Sequence, residues 1–262
     1  MAKKTQQELD EALILYLEVY GYRLFNKALR RSIEPILNSL RLNENVLFTS
    51  AFGATLYNEQ PIADAMSEFY SVAWQRQTRT YYRWLKQNLP NSAIIGAGFD
   101  NPILDAKLTE YFNTIGGQHI KDISETTLKR VQSAFQTALD NNEGFRGAER
   151  RLIKEVGMSR TRARMIARTE SLMITNKAKY EQSELLSIQM EKEWRHNTKS
   201  NYREWHFKYN GTKKDFEDTF TLRGVKMKYP GDPNGGAINN VNCRCIMITR
   251  AKTDSEGNLI YK

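Results

Sequence analysis

Two cysteines and one histidine are the residues of this sequence whose types could bind a metal ion. Cys243 and Cys245 stand two positions apart in the stretch NCRC, and His206 precedes them. Residues i and i+2 of a strand face the same way, so both sulfurs and the imidazole could reach one ion. The fourth ligand of a structural zinc site would be His196, Asp232 or water. The spacing favours a metal-free cluster of buried thiols around His206, with structural zinc as the alternative and no other cofactor.

Patterns typical of catalysis are weak. The His-x-Glu and Cys-x-x-Cys arrangement of zinc deaminases is not matched. Glu191 and Glu193 are similar to the Glu-x-Glu pair of ADP-ribosyltransferases, but no Ser-Thr-Ser element accompanies them. A Mg²⁺-dependent nuclease would need several carboxylates close together, and the local cluster of this kind is Asp215, Glu217 and Asp218. The sequence around these residues predicts a solvated loop. We therefore predict a protein that is not an enzyme.

An arginine-rich helix is predicted to begin after Ser159. At 100° per residue, Arg160, Arg164 and Arg168 fall within an arc of about 80°. Residues 146–184 contain ten Lys and Arg against five acidic residues and contribute +5 of the formal net charge of +9. The three arginines could bind DNA phosphates without reading sequence. They could equally pair with Glu170 or with carboxylates of the C-terminal residues, and the sequence leaves both roles open.

Composition narrows the class of protein. The chain has 262 residues, 40% of them hydrophobic, and a pI near 9.4, which indicates a folded protein with an anionic partner such as nucleic acid. No apolar run approaches the roughly 18 residues of a membrane span, and the first residues lack the features of a signal peptide. We expect a soluble protein made in the cytoplasm. Its thiols should be reduced, because side chains two positions apart on a strand are separated by about 7 Å.

The elements that must position these residues are predicted from periodicity and turn signals. A possible capping box of Thr5 and Glu8 begins a helix that is apolar almost all round, and Pro35 is expected to begin a new helical segment. Pro90 should end a second long helix. Short strands are predicted in the segments 187–196, 218–229 and 242–250, and residues 251–262 should form a loosely held tail. The predicted class is α+β, with a mainly helical N-terminal region followed by a small mixed α/β C-terminal module with short strands.

Several motifs follow one another in the second half of the chain. They are SRTRARMIARTE, Trp194, REWHFKYNG, Phe220 and YPGDPNGGAINNVNCRC. Their order resembles that of the phage Mu F-like minor head proteins, the phage head-morphogenesis family, over roughly residues 118–250. The motif residues are Arg168, Thr169, Glu170, Trp194, Arg203, His206, Gly211, Pro230, Gly231, Asp232, Asn242, Cys243 and Cys245. The family usually has an acidic residue where this chain has Lys199, which puts a role in charge pairing or metal support there in doubt.

The resemblance implies a minor capsid protein of a tailed bacteriophage, inside the virion head near the portal, acting in head assembly and in DNA packaging or ejection. Implied partners are the portal protein, the major capsid protein, packaged double-stranded DNA and other copies of the chain. The predicted domains are residues 1–117, a helical region with no recognised relative whose apolar first helix suits docking to the portal or capsid, residues 118–250, the Mu F-like domain that the resemblance implies, and residues 251–262, the tail. A nucleic-acid-binding regulator is the alternative, followed by a toxin-type ADP-ribosyltransferase or a nuclease.

Overall fold

A computed structural model describes residues 4–42, 50–157, 160–196 and 203–262. It confirms the α+β class, since long helices are followed by short strands. The helices are α1 (Gln6–Leu42), α2 (Ser50–Leu56), α3 (Gln60–Asn88), α4 (Pro102–Tyr111), α5 (Gly117–Asp140), α6 (Gly144–Leu152), α7 (Arg160–Glu184), α8 (Glu204–Phe207) and α9 (Gly236–Asn240). The strands are β1 (Met190–Arg195), β2 (Lys213–Asp215), β3 (Phe220–Leu222), β4 (Val225–Met227) and β5 (Ile246–Ala251). Ser159 and Lys199 lie outside the described residues.

Helix α1 begins as predicted and continues where a break was expected. The backbone N–H of Thr5 donates to Glu8 Oε2 over 2.8 Å, and Glu8 N–H donates to Thr5 Oγ1 over 3.2 Å, which is the reciprocal pattern of a capping box. Pro35 lies inside the helix, so the prediction of a new segment there is wrong. Pro90 does follow the end of α3, because proline lacks the N–H that a further helical turn would need.

The chain forms two compact units, and neither is continuous in sequence. Unit 1 contains Met1–Val19, Tyr70–Glu110 and Met165–Lys262, and unit 2 contains Tyr20–Phe69 and Tyr111–Arg164. The predicted domain boundary between residues 117 and 118 falls within α5 and therefore inside unit 2. The predicted domains are consecutive along the chain, whereas each compact unit combines stretches from both of them.

Unit 2 is built around one apolar face of α1 and one of α5. Its core consists of Ile33, Ile36, Leu40, Val131, Ala134, Phe135, Ala138, Ala148, Leu152 and Val156, all of them buried. Helix α2 approaches α5 closely at Gly53. A Cβ atom there would lie 2.7 Å from Val131 Cγ1, so only glycine permits this packing.

The sheet of unit 1 is antiparallel with strand order β2-β1-β5. Trp194 lies opposite Met247 in the register, and a separate hairpin pairs β3 with β4. Strands were predicted in all the segments that contain β1, β3, β4 and β5. Cys243 and Cys245, however, precede β5, so strand alternation does not explain how their side chains are placed.

The first turns of α1 are part of unit 1. Ile14 packs with Ile246 and Ile248 of β5. Gln6 is buried, accepts the backbone N–H of Thr249 over 2.8 Å and donates to the Thr249 hydroxyl over 3.0 Å. Because β5 is an edge strand, Gln6 satisfies backbone that would otherwise have no partner. These residues therefore belong to the same core as the C-terminal strands.

The C-terminal residues are held by hydrogen bonds, which corrects the prediction of a loose tail. Lys262 N–H donates to the Ser187 carbonyl over 3.0 Å, and Gln189 N–H donates to the Ile260 carbonyl over 2.8 Å. Within the ranges given above, no helix combines the length and apolar content that a membrane span requires.

Candidate metal centre

Helix α7 is joined to the C-terminal residues of unit 1 through its Arg-Thr-Glu motif. Arg168 donates to Asn242 Oδ1, and the backbone N–H of Asn242 donates to Thr169 Oγ1 over 2.9 Å. Asn242 has a φ of 60°, a left-handed conformation that asparagine tolerates better than most residues. Glu170 accepts a hydrogen bond of 2.6 Å from the buried hydroxyl of Tyr70. All three motif side chains are thus engaged within the fold.

Glu18 of α1 is a charge partner that sequence reasoning missed. Its carboxylate accepts two hydrogen bonds from Arg244, of 2.9 and 2.8 Å, and lies 3.5 Å from Arg168 Nε. Only 12% of the Glu18 side chain is exposed. The ion pair of Glu18 and Arg244 could not be predicted from sequence, because its partners are separated by almost the whole chain.

The Pro-Gly-Asp-Pro turn packs directly against α7. Asn176 of α7 donates to the Pro230 carbonyl over 2.8 Å and to the Cys245 carbonyl over 3.1 Å. Gly231 has a φ of 83°, and a Cβ atom there would lie 3.2 Å from Met173 Cα. The Asp232 carboxylate accepts the backbone N–H groups of Lys228 and Asn234, over 2.6 and 2.9 Å. Asp232 is therefore committed to the turn and is not the fourth metal ligand.

The metal-site cluster consists of His206, Cys243 and Cys245, whose side chains converge in the core of unit 1. Their ligand atoms all lie within 4.8 Å of one another, and all three residues are buried. His206 Nδ1 is 3.4 Å from each sulfur, and the backbone N–H of Cys245 is 3.4 Å from the Cys243 sulfur. Helix α8, which begins after Arg203, carries His206, and Arg203 donates to the Val241 carbonyl over 2.5 Å. The predicted grouping of the three side chains is therefore present.

Asn239 orients the imidazole and was not among the predicted site residues. Its Oδ1 is 3.4 Å from His206 Nε2 and accepts the indole N–H of Trp205 over 3.0 Å, while its Nδ2 donates to the Gly235 carbonyl over 3.0 Å. The amide nitrogen is thus used elsewhere, and the oxygen faces the ring. Because that oxygen can only accept, the proton of a neutral His206 is on Nε2 and the Nδ1 lone pair faces the sulfurs.

The pKa values of the two thiols are shifted in opposite directions. A hydrogen bond from Cys245 and the nearby imidazole of His206 place the pKa of Cys243 well below its ordinary value, against the effect of burial. Burial raises the pKa of Cys245, and the neighbouring Cys243 raises it further.

Two aromatic or imidazole side chains border this cluster. Trp194 is fully buried with its ring 5.5 Å from that of His206, in an edge-to-face arrangement, and Gly211 N–H donates to its carbonyl over 2.8 Å. His196, at the end of β1, is buried, and its pKa is lowered by burial and by His206 but raised by Cys243. Among the described residues, His196 is not one of the donors that converge within 4.8 Å of one another.

The predicted arginines have different environments. Arg160 and Arg164 of unit 2 are exposed, and the Arg164 guanidinium lies 5.2 Å from the centre of the Tyr22 ring. Arg168 of unit 1 is committed to Asn242 and Glu18, which favours a role in the fold for that residue.

Three of the five carboxylates considered for catalysis form ion pairs. Glu193 is 3% exposed and pairs with Arg195 and Arg250, the latter over 3.0 Å. Glu191 pairs with Lys213 over 3.1 Å. In the cluster near β2, Asp215 pairs with Lys252 over 2.8 Å, and Phe216 separates it from Glu217 and Asp218, all three acids being exposed.

Comparison with known proteins supports the resemblance seen in the motifs. Residues 129–248 match the family described as Phage Mu protein F like protein. This segment is similar to the Mu F-like family. The segment ends within β5 and includes the metal-site cluster and the turn packed on α7. The predicted family resemblance is therefore confirmed, and it supports a role in phage head morphogenesis.

A curated relative of greater length also matches. The chain is 25% identical over 262 residues to the NAD(+)--arginine ADP-ribosyltransferase EFV of Enterococcus faecalis (strain ATCC 700802 / V583). The match covers 95% of this chain and 52% of that protein, so the chain spans about half the length of the relative. No solved structure matches the chain significantly.

Proposed function

We propose that this chain is a minor head protein of a tailed bacteriophage, located inside the head near the portal, where it acts in head assembly and in DNA packaging or ejection. The match of residues 129–248 to the Mu F-like family carries the proposal. The contacts among the motif residues also support the proposal. Because these residues hold one another in place, the match reflects a shared structure and not a set of isolated similarities. Partners are the portal, the major capsid protein, DNA and copies of the chain itself.

Location is tested in purified particles of the phage that encodes the chain. A tagged full-length chain should copurify with DNA-filled heads and resist external protease until the heads are opened. Cross-linking should join it to the portal protein. Recovery from host cytoplasm but never from particles would contradict the proposal and favour the regulator.

An exposed apolar stretch on α1 supports docking to another head protein. Leu15 and Val19 are one helical turn apart and are 62% and 49% exposed, although the neighbouring face of α1 is buried. Changing Leu15→Glu and Val19→Lys should leave the fold intact, because neither residue is in the core, and should reduce incorporation into particles at least tenfold. Leu42→Glu, at a residue 81% exposed on unit 2, is the matched control. Equal incorporation of all variants would contradict docking through this stretch.

The exposed arginines of unit 2 support non-specific contact with packaged DNA. A groove of about 600 Å³ in the same unit is lined by Lys27, Arg30, Arg31 and Arg41 with one acid, Glu34. Replacing Arg160 and Arg164 by Gln should lower the slope of log K against log salt by roughly two, since each phosphate contact contributes about 0.9. Lys208→Gln with Lys213→Gln, lysines paired with Glu204 and Glu191, is the control. An unchanged slope in the arginine variant would remove these residues from DNA binding.

We further propose that the chain itself has no catalytic activity. The name of the Enterococcus relative favours ADP-ribose transfer as a second candidate. The paired state of Glu193 and Glu191 argues against that reading, because both carboxylates are held by cations. Incubation with NAD+ and an arginine-containing acceptor should transfer no ADP-ribose. Transfer that Glu193→Gln abolishes would establish the second candidate.

A further inference from the structure

We propose that His206, Cys243 and Cys245 bind one zinc ion, and that this ion holds α8 and the residues before β5 together. The inference is independent of the proposed role in the phage head, because it rests on the cluster alone. The ion is structural in this proposal. It replaces the protons of two thiols, which pass to solvent, and no electrons are transferred.

Distances in the cluster match those between ligands of a tetrahedral zinc ion. With zinc–sulfur bonds of about 2.3 Å and zinc–nitrogen bonds of about 2.0 Å, a ligating nitrogen and sulfur lie roughly 3.5 Å apart. His206 Nδ1 is 3.4 Å from both sulfurs. Because the three donors are also mutually within 4.8 Å, one ion could bind them with little movement.

The orientation of the imidazole favours an ion over a thiol cluster. Asn239 holds the proton on Nε2, so Nδ1 presents one lone pair to two sulfurs. One lone pair can accept a proper hydrogen bond from only one thiol. A metal ion uses the Nδ1 lone pair and both sulfurs at once. Ligating histidines also usually donate their second ring N–H to a fixed acceptor, which Asn239 Oδ1 supplies here.

A buried indole packs beside the cluster. Trp194 belongs to the same core as Cys243 and Cys245, and its ring lies 5.5 Å from that of His206. Its Nε1 is buried and has no hydrogen-bond acceptor among the described residues. A thiolate bound to zinc would be a stronger acceptor for such a donor than a thiol is.

Water supplies the fourth ligand in this proposal, as it does in zinc sites with three protein ligands. His206, Cys243 and Cys245 are the donors that converge among the described residues, and His196 is not part of that group. Asp232 is occupied by two backbone N–H groups.

The first test uses the full-length wild-type chain, so it does not depend on a variant that folds. Protein purified without added metal should contain about one zinc per chain by elemental analysis, and removal of the ion by a chelator should lower the Tm by roughly 10 °C. Titration of the metal-free chain with Co²⁺ should produce thiolate-to-cobalt charge-transfer absorption. No bound zinc, no Tm change on adding zinc and no such absorption would overturn the proposal.

Substitutions then assign the ligands. Cys243→Ser, Cys245→Ser and His206→Asn should each lose the zinc and the corresponding cobalt absorption, and His119→Asn should retain both. His196→Asn should also retain both, because His196 is not one of the converging donors. Full zinc content in the Cys243→Ser or His206→Asn chain would overturn the site.

Discussion

Polar residues of the family motif serve mainly as partners of backbone groups around the cluster. Asp232 accepts two backbone N–H groups, Thr169 accepts that of Asn242, and Arg203 donates to the Val241 carbonyl. A buried polar group left without a partner costs about 1–3 kcal/mol. Substitution of any of these side chains would therefore disturb the path of the chain from the Pro-Gly-Asp-Pro turn to β5.

Gly231→Ala is expected to destabilise the protein more than Gly224→Ala. Both glycines have a positive φ, 83° and 80°, so each alanine would cost about 1–2 kcal/mol in backbone strain. A methyl group at residue 231 would also lie 3.2 Å from Met173 Cα, whereas the space around residue 224 is open. We expect losses of about 2–4 and about 1–2 kcal/mol, respectively, in urea unfolding. Equal losses would show that contact with α7 is unimportant.

Residue types predicted the members of the metal-site cluster but not how they are brought together. The expected mechanism, two cysteines on one face of a strand, is wrong because Cys243 and Cys245 precede β5. The left-handed turn at Asn242 and the placement of α8 bring the sulfurs to His206 instead. Asn239 could not be assigned from sequence, because the direction of its amide depends on Gly235 and Trp205 after folding.

At the scale of elements, α1 shows how tertiary packing overrides a local signal. Proline inside a helix costs about 3 kcal/mol because it removes a hydrogen bond and crowds the preceding turn. Around Pro35, Ile33, Ile36 and Leu40 are all buried in the core of unit 2. Each such side chain contributes about 1.5–3 kcal/mol, which exceeds the cost of the proline. The residues around Pro35 show the cost of proline in a helix. The residues of α5 that offset this cost are remote in sequence, so a local prediction cannot include them.

Helices α1 and α7 meet in unit 1 through a buried ion pair whose members should not be replaced singly. Asp10 and Lys179 are almost fully buried, and Lys179 also donates to the Met247 carbonyl over 2.8 Å. Burial raises the pKa of Asp10 and lowers that of Lys179 despite their contact, so desolvation outweighs attraction. Lys179→Met should cost about 3–5 kcal/mol, because it leaves a buried carboxylate unpaired.

The double variant Asp10→Leu with Lys179→Met tests whether the loss of stability in Lys179→Met comes from the unpaired buried carboxylate. It should recover most of the stability lost in Lys179→Met, since apolar side chains of similar size need no charge partner. Lys208→Met, in an exposed pair with Glu204, is the control and should cost less than about 1 kcal/mol. Urea unfolding measures all three. A double variant no more stable than Lys179→Met would contradict this account of the pair.

At the scale of the molecule, the compact units could not be predicted from motif order. Changes in composition and motifs predict domain boundaries after residues 117 and 250. Unit 1 is instead assembled from three separated stretches of the chain. Gln6 with Thr249 and Glu18 with Arg244 are contacts between opposite ends of the chain. Buried hydrogen bonds and ion pairs of this kind leave no periodic pattern in a sequence, so only the class and the C-terminal strands were accessible.

Removal of residues 1–19 is therefore expected to destabilise the C-terminal part of the chain, which the implied domain order would leave folded. The truncation deletes Asp10 and leaves Lys179 buried without its carboxylate, at a cost of about 3–5 kcal/mol. It also exposes Ile246 and Ile248 and leaves the Thr249 N–H without Gln6. Removal of residues 1–4 alone, which spares the capping residue Thr5, should leave the Tm unchanged. Trypsin should cleave residues 165–262 rapidly only in the longer truncation. If both truncated chains resist trypsin as well as the full chain, residues 1–19 do not support this unit, and the first turns of α1 are free to act as a separate docking element.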